Sequence, residues 1–221
     1  EMKGDMTGAA SVCGALLAIA ELKLPVAIES YAALAENMVS DTATRPSDVI
    51  SIYGGKTVEV LNPDAEGRLV LADALIKAAE VGAKSGGLDG IVDVATLTGA
   101  ATLGLGKQFA AMYTRDDRLA KELAQIGNEV GEKVWRMPLV DDYSIALESD
   151  VADYNHTADK YDFSAGSVTA ALFLEKFVGQ RKWVHLDIAG PARSETDSGE
   201  NIKGGTGFAA RLLTEWLARF N

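Results

Sequence analysis

With 221 residues, the chain is long enough for one large domain, or a tight pair, around a substantial core. Its 32 acidic against 21 basic side chains leave a net charge of -11, a surface that repels phosphate backbones and argues against nucleic-acid binding. A 48% apolar share is ordinary for a globular protein, and no run of about 18 apolar residues offers a membrane span.

The N-terminus lacks a basic-then-apolar leader pattern, so the expected setting is cytoplasmic, with no membrane partner. Cys13 stands alone and cannot make an internal disulfide, which fits a reducing compartment and reads as buried filler in a small-residue helix. The opening Glu1-Met2-Lys3-Gly4-Asp5 reads like the middle of a protein.

In chain order, residues 6 to 23 predict a helix with Asp5 as its N-cap. Small side chains in its first half (Gly8, Ala9, Ala10, Ser11, Gly14, Ala15) allow close backbone approach to a neighbour. That packing must offset the roughly 1 kcal/mol each glycine costs a helix relative to alanine. Pro25 ends the helical region, Val26 to Ala35 looks like a short strand into a turn, and Asn37 to Asp48 is a polar loop. Val49 to Tyr53 and Thr57 to Leu61, around Gly54-Gly55-Lys56, predict a hairpin. A helix from about Glu66 to Ala83 is apolar on nearly every face. Past a glycine-rich loop, Lys84 to Gly90, a buried strand from Ile91 to Thr96 runs into Leu97-Thr98-Gly99-Ala100-Ala101. This strand, helix, strand order implies a parallel crossover.

Phe109 to Tyr113 is a further strand, Asp116 to Gly131 an amphipathic helix with a solvated charged face, and Trp135 to Leu139 an extended, part-buried stretch. A polar loop from Asn155 to Ser164 holds His156, and Ala165 to Val178 is a central helix. Trp183 to Ala192 is a strand and loop, and Gly204-Gly205-Thr206-Gly207 precedes a closing helix to about Phe220. Leu105-Gly106-Lys107-Gln108 fails as a phosphate loop, because Ala101 stands where the first glycine belongs and Gln108 where Ser or Thr does. His156 and His185 belong to no His-Glu-x-x-His helix, so a histidine zinc site is not expected and His185 reads as a hydrogen-bonded core residue. The fold class expected overall is α/β, a three-layer α/β/α sandwich with a mixed, mostly parallel central sheet.

The stretch from Asn62 to Leu75 concentrates the chemistry. A strand ends in Asn62-Pro63, Asp64 and Glu66 flank one residue in the strand-to-helix turn, and Arg68 follows in the first helical turn. Crevices at strand ends in open α/β sheets are where ligands usually sit. The plain account is capping, with Asp64 and Glu66 serving the helix start and its dipole. Two details oppose it. Gly67 stands where a reciprocal capping box needs Glu or Gln, and Arg68 places a cation where the dipole disfavours one. Converging carboxylates repel unless a counter-charge, commonly a metal ion, joins them.

These residues resemble the catalytic domain of the leucine aminopeptidase (cytosol aminopeptidase) family. The family form of the central stretch is Asn-Thr-Asp-Ala-Glu-Gly-Arg-Leu, with Pro63 here in place of Thr. Met2 to Ala10, Asp93 to Ala100, Trp135 to Leu139, Gly166 to Leu174 and His185 to Ala192 also match, in family order. The resemblance implies that Asp5, Asp64 and Glu66 are ligands of a two-metal site, and that Arg68 holds a bicarbonate ion serving as general base. Met2, Thr96, Gly99 and Ala189 would line the pocket for the substrate's first side chain, and the backbone of Leu97 and Gly99 would bond the peptide. Oxygen-rich ligation suits two divalent ions, zinc or manganese first, magnesium or cobalt next.

The implied activity is hydrolysis of N-terminal, leucine-like residues from peptide substrates by an enzyme that assembles as a homo-hexamer. Family members carry a lysine-bearing, glycine-rich stretch with Phe-Asp-Ser-Gly-Gly just upstream of the Met2 to Asp5 motif, and a small N-terminal domain before it. Residues 1–221 contain neither, so the expectation is the catalytic domain of a larger enzyme without its first metal-binding segment, inactive alone. Two other readings stand beside it: an inactive scaffold fragment, and a nucleotide-binding α/β protein suggested only by the glycine loops.

Overall fold

The structure, a computed structural model, describes residues 2–84, 87–158 and 164–220, the side chains of residues 82–84 excepted. The chain enters through a 3-10 turn, Met2–Gly4, into helix α1 (Thr7–Glu21), which buries Thr7, Gly8, Ser11, Ala15 and Ile19. Strands β1 (Val49–Ser51) and β2 (Thr57–Glu59) pair antiparallel, the predicted hairpin. A second 3-10 turn, Pro63–Ala65, leads into helix α2 (Gly67–Lys84) and strand β3 (Ile91–Ala95). Helix α3 (Gly99–Leu105), strand β4 (Ala110–Tyr113), helix α4 (Asp117–Val130) and strand β5 (Val134–Arg136) follow. Beyond a 3-10 segment, Asp141–Leu147, come β6 (Tyr154–Asn155), α5 (Gly166–Glu175) and β7 (Trp183–Asp187). The pair β8 (Arg193–Ser194) and β9 (Gly204–Gly205) precedes helix α6 (Ala210–Ala218).

Local chemistry accounts for the clearest of these. The Asp116 carboxylate accepts the Leu119 N–H at 2.9 Å at the start of α4, and Gly131 ends that helix at φ 76.

The main sheet runs β3-β7-β4-β5, with β3–β7 and β4–β5 parallel and β7–β4 antiparallel. It is mixed and mostly parallel, with helices on both faces, as expected. All five residues of β7 are buried, yet its two faces differ chemically. Val184 and Leu186, continued by Ile188, enter an apolar layer with Ala15 and Ile19 of α1, Leu123 and Ile126 of α4, and Leu212 and Trp216 of α6. Trp183 faces the opposite layer, with Leu69 and Leu75 of α2 and Leu172 and Phe173 of α5. His185 and Asp187 lie on that same side, hydrogen-bonded to Asp93 and to Ser167. Each fully buried Leu, Ile or Phe contributes about 1.5–3 kcal/mol.

The small residues of α1 serve the predicted close approach. A Cβ on Gly8 would stand 2.0 Å from the Val94 carbonyl oxygen, so only glycine lets the helix lie this near β3.

Several expectations are corrected. Val26 to Ala35 forms no strand. Its alanines are poor strand formers, Glu29 breaks the apolar alternation, and Leu24 and Val26 alone reach the core. The β2–α2–β3 order is no crossover within one sheet, because β2 pairs with β1 and β6 in a separate small sheet while β3 pairs with β7. Helix α2 buries a stripe of Leu69, Ala72, Leu75 and Ala79 rather than nearly every face. Asp73 and Lys77 on its far side bind the Tyr53 N–H (2.7 Å) and hydroxyl (3.2 Å). Cys13 is exposed, because it falls on the side of α1 opposite the Ser11, Ala15, Ile19 stripe. The loops expected at Lys84 to Gly90 and Asn155 to Ser164 lie partly outside the described residues.

Candidate functional site

The ends of α1, α2, β3 and β7 open onto one cavity of about 1970 Å³, bounded on its far side by the segment from Pro25 to Met38. Every residue singled out from the sequence lines it: Met2, Asp5, Asp64, Glu66, Arg68, Thr96, Leu97, Gly99 and Ala189.

The turn that carries the acids is built by its neighbours. Asn62 is extended (φ -132, ψ 104) and its side-chain oxygen accepts the Asp64 N–H at 3.0 Å, while Pro63 takes the first position of the 3-10 turn. Asn62 therefore caps this start, and the Asp64 carboxylate is left free of that duty. Asp5 departs from expectation in the same direction. Helix α1 begins after Met6 with no side-chain cap, and Asp5 Oδ1 instead accepts the Thr96 hydroxyl proton at 3.0 Å. An acid read as a cap is thus joined to a pocket residue on the loop after β3.

Glu66 Oε2 accepts from the Asn37 amide at 2.7 Å, and Asn37 also donates to the Pro63 carbonyl at 3.2 Å. Burial holds the Glu66 carboxyl above the usual carboxylate range, and the charges of Asp5 and Asp64 push it the same way, against the Asn37 bond. The three acids therefore share one electrostatic field. Among the described residues, however, no three or more His, Cys, Asp or Glu side chains are gathered at metal-binding spacing. Asp5 and Glu66 each lean on a neutral donor of their own, Thr96 and Asn37. The donor set itself, three carboxylates with the charges of Asp5 and Asp64 both acting on Glu66, has the chemistry of a site for hard divalent cations.

Arg68 is 7% exposed, and its Nη1 donates to the His156 carbonyl at 2.6 Å. His156 is fully buried. Its Nε2 lies 2.8 Å from the Asn62 carbonyl, and its Nδ1 lies 3.3 Å from the Leu61 amide and 3.2 Å from the Glu59 carbonyl. A proton on Nε2 completes the Asn62 bond and leaves Nδ1 to accept from Leu61. His156 thus braces the turn from about 90 positions away, which no local pattern announces.

On the opposite wall, Thr98 caps α3 by accepting the Ala101 N–H at 3.1 Å. The Leu97 N–H is committed to Asp187 at 3.2 Å, which leaves the Leu97 carbonyl for other partners. Gly99 is the first residue of α3, where a helix leaves its N–H groups unused internally. Asn37, His156, Ser167 and Asp187 are the residues that sequence reasoning missed.

His185 is the core residue expected. Its Nδ1 lies 2.6 Å from Asp93 Oδ1, while Trp183 Nε1 donates to Asp93 Oδ2 at 2.6 Å. Burial pushes the imidazole pKa down, but the charges of Asp93 and Asp187 and the Asp93 bond outweigh it and raise the pKa. Leu105 to Gln108 is a helix end, with Gly106 at φ 71 and Lys107 paired to Glu195.

A sequence model of the cytosol aminopeptidase family, catalytic domain, matches residues 1–214. Probable cytosol aminopeptidases of Synechococcus sp. (strain JA-3-3Ab) and Chlorobium limicola are each 50% identical to the chain, over 98% and 100% of its length. The chain spans 41% and 42% of those relatives. A tomato leucine aminopeptidase mutant superposes with a TM-score of 0.85 at 40% identity, covering 99% of this chain and 41% of that one. The bottromycin maturation enzyme BotP in complex with Mn gives 0.86 at 40% identity, over 97% and 46%.

Proposed function

Because the chain belongs to the cytosol aminopeptidase family, we propose that residues 1–221 are the catalytic domain of a metal-dependent aminopeptidase. It would release N-terminal, leucine-like residues from peptides. The observation that carries this reading is the single cavity onto which three carboxylates, a buried arginine and the Thr96 to Gly99 loop all open.

Asp5, Asp64 and Glu66 would hold divalent ions, manganese being supported by the Mn complex of BotP, and zinc, magnesium or cobalt by the oxygen-rich donor set. Two such ions, when bound, would engage a free α-amine, polarise the scissile carbonyl and lower the pKa of a water. Remaining ligands would come from a segment outside these residues. Arg68, steadied by the His156 carbonyl, is the cation on this wall and is assigned to hold bicarbonate. The Leu97 carbonyl would accept from the peptide, and the Gly99 N–H would donate to it. Met2, Thr96 and Ala189 border the space for the first side chain, where each methylene is worth about 1–3 kcal/mol of discrimination. Family resemblance further supports a homo-hexamer in the cytoplasm. Among the described residues no helix is long and apolar enough to cross a membrane.

Metal analysis of the intact protein, with leucine amide hydrolysis, tests the assignment. Glu66→Ala should abolish turnover; turnover surviving with metal still bound refutes Glu66 as a ligand. A second reading, an inactive scaffold, is favoured by the ungathered carboxylates. Metal uptake and hydrolysis by the isolated 221 residues would exclude it.

A further inference from the structure

We propose that Asp187 is a positioning residue of the peptide site, a single buried carboxylate that fixes the backbone of both loops on one wall and thereby sets side-chain selectivity. The inference rests on the aminopeptidase reading above. Asp187 is 1% exposed and ends β7, opposite Ala95 of β3. Its Oδ1 accepts the N–H groups of Leu97 at 3.2 Å, Thr98 at 3.3 Å and Ala189 at 3.2 Å. Its Oδ2 accepts the hydroxyl protons of Thr98 at 2.5 Å and Ser167 at 3.3 Å. A carboxylate offers about four lone-pair positions, so five donors leave it saturated. Four of the five belong to Leu97, Thr98 and Ala189, two of them residues assigned to the substrate wall and the third the residue between Leu97 and Gly99.

The proton directions in this network are linked. The Thr98 hydroxyl has one proton and gives it to Asp187, which keeps its lone pairs for the Ala101 N–H and so starts α3 at Gly99. Tyr113 donates to Ser167 Oγ at 2.7 Å, and Ser167 passes its own proton toward Asp187. Burial pushes the Tyr113 phenol up to about 12, with the Asp187 charge acting in the same sense, so it stays a donor across the working pH range. Strand β4, helix α5, strand β7 and the loop after β3 are thereby tied to one atom pair. The α3 and α5 starts are also in close register, since a Cβ on Gly166 would lie 3.5 Å from Ala100 Cβ.

Asparagine cannot replace this group, although it has the same shape. With its NH₂ toward Thr98 and Ser167, the Thr98 hydroxyl would face two donors, the amide and Ala101. Turned over, the NH₂ would face three backbone N–H groups. Either way a buried donor is left unpaired. The loop must shift, and with it the pocket residues Thr96, Gly99 and Ala189, while Asp64 and Glu66, held on the Asn62 turn by their own bonds, stay in place.

The test compares Asp187→Asn, Thr98→Val and Thr98→Ser in the intact, metal-loaded protein, measuring kcat/KM for leucine amide and for alanine amide together with metal content. Asp187→Asn and Thr98→Val should lower kcat/KM for leucine amide by about 10- to 100-fold. The preference for leucine over alanine should narrow by at least about tenfold, the lower end of the discrimination one methylene carries. Metal content should not change, and Thr98→Ser, which keeps the hydroxyl, should restore the wild-type preference. A merely structural role would depress both substrates equally. An unchanged preference in Asp187→Asn and Thr98→Val therefore overturns the inference, whatever the absolute rates. If Asp187→Asn does not fold, the Thr98 pair decides alone. A wild-type protein that carries metal but hydrolyses neither amide refutes the aminopeptidase reading, and the inference with it.

Discussion

A methyl group at position 8 measures how firmly α1 is seated on the sheet. A Cβ on Gly8 would lie 2.0 Å from the Val94 oxygen, 2.7 Å from the Val94 carbonyl carbon and 3.0 Å from Ala95 Cα. Contacts under 3.0 Å are not tolerated, so Gly8→Ala must part α1 and β3 by at least about 1 Å, the difference between 3.0 and 2.0. The opposing atoms are all main chain, and no rotamer change relieves the clash. Alanine returns about 1 kcal/mol of helix propensity, whereas overpacking costs up to about 3 kcal/mol, leaving a net loss of about 2 kcal/mol. At about 2–4 °C per kcal/mol for a domain of this size, the melting temperature should fall by roughly 4–8 °C. Activity should suffer more than stability, because the Asp5–Thr96 hydrogen bond crosses the same seam. Gly14→Ala is the control within the helix. Its Cβ would meet Ala210 Cβ at an ordinary 3.6 Å, so the propensity gain should show unopposed as a slightly higher melting temperature. Thermal unfolding and leucine amide hydrolysis of the three proteins decide the matter. A Gly8→Ala protein melting at or above the wild type refutes the packing argument.

Glu132, 2% exposed, has its carboxyl raised by burial, against the Leu212 N–H, Arg211 and the Ala209 N–H that favour its charge. The folded protein therefore binds this proton more tightly than the unfolded chain. Its contribution is fully present below the ordinary value of 4.5 and is lost as pH rises through the shifted one. Urea unfolding across pH should show wild-type stability falling relative to Glu132→Gln from pH 4.5 upward; a flat or rising difference contradicts this. His156→Ala should cost about 1–3 kcal/mol by leaving the Asn62 carbonyl or Leu61 amide unpaired, and should weaken metal uptake by slackening the Asn62 turn. Unchanged melting and metal affinity would refute the bracing role.

Much of the fold could be read from local chemistry. Two glycines between alternating runs announce the β1–β2 hairpin, and Asp116 with Gly131 bracket α4. What could not be read is set by partners distant in sequence. That β2 and β3 enter different sheets depends on pairings with Tyr154 and Trp183, which no window around α2 contains. Helix α3, at seven residues, is too short to leave a periodic signal. The site divides the same way. Asp64, Glu66 and Arg68 are legible because they crowd one turn, and the resemblance joined the rest to them. Asp5 was misread as a cap because an acid before a helix looks like one, while the hydroxyl that claims it lies 91 positions away. Asp187 lies inside the matched stretch His185 to Ala192 but was not singled out, because its meaning lies in five donors drawn from three separate segments.

The two-faced chemistry of β7 also bears on folding fidelity. Both of its faces are buried, and a strand apolar on both sides would pair almost as well one residue out of register. Here a slip of one position would turn His185 and Asp187 into the hydrocarbon layer of α1, α4 and α6, and would strip Asp93 of its histidine and tryptophan partners. Each unpaired buried charge costs several kcal/mol, comparable with the whole stability of a domain. The polar stripe thus excludes misregistered sheets, and β3 and β4 can settle against β7 in one alignment only.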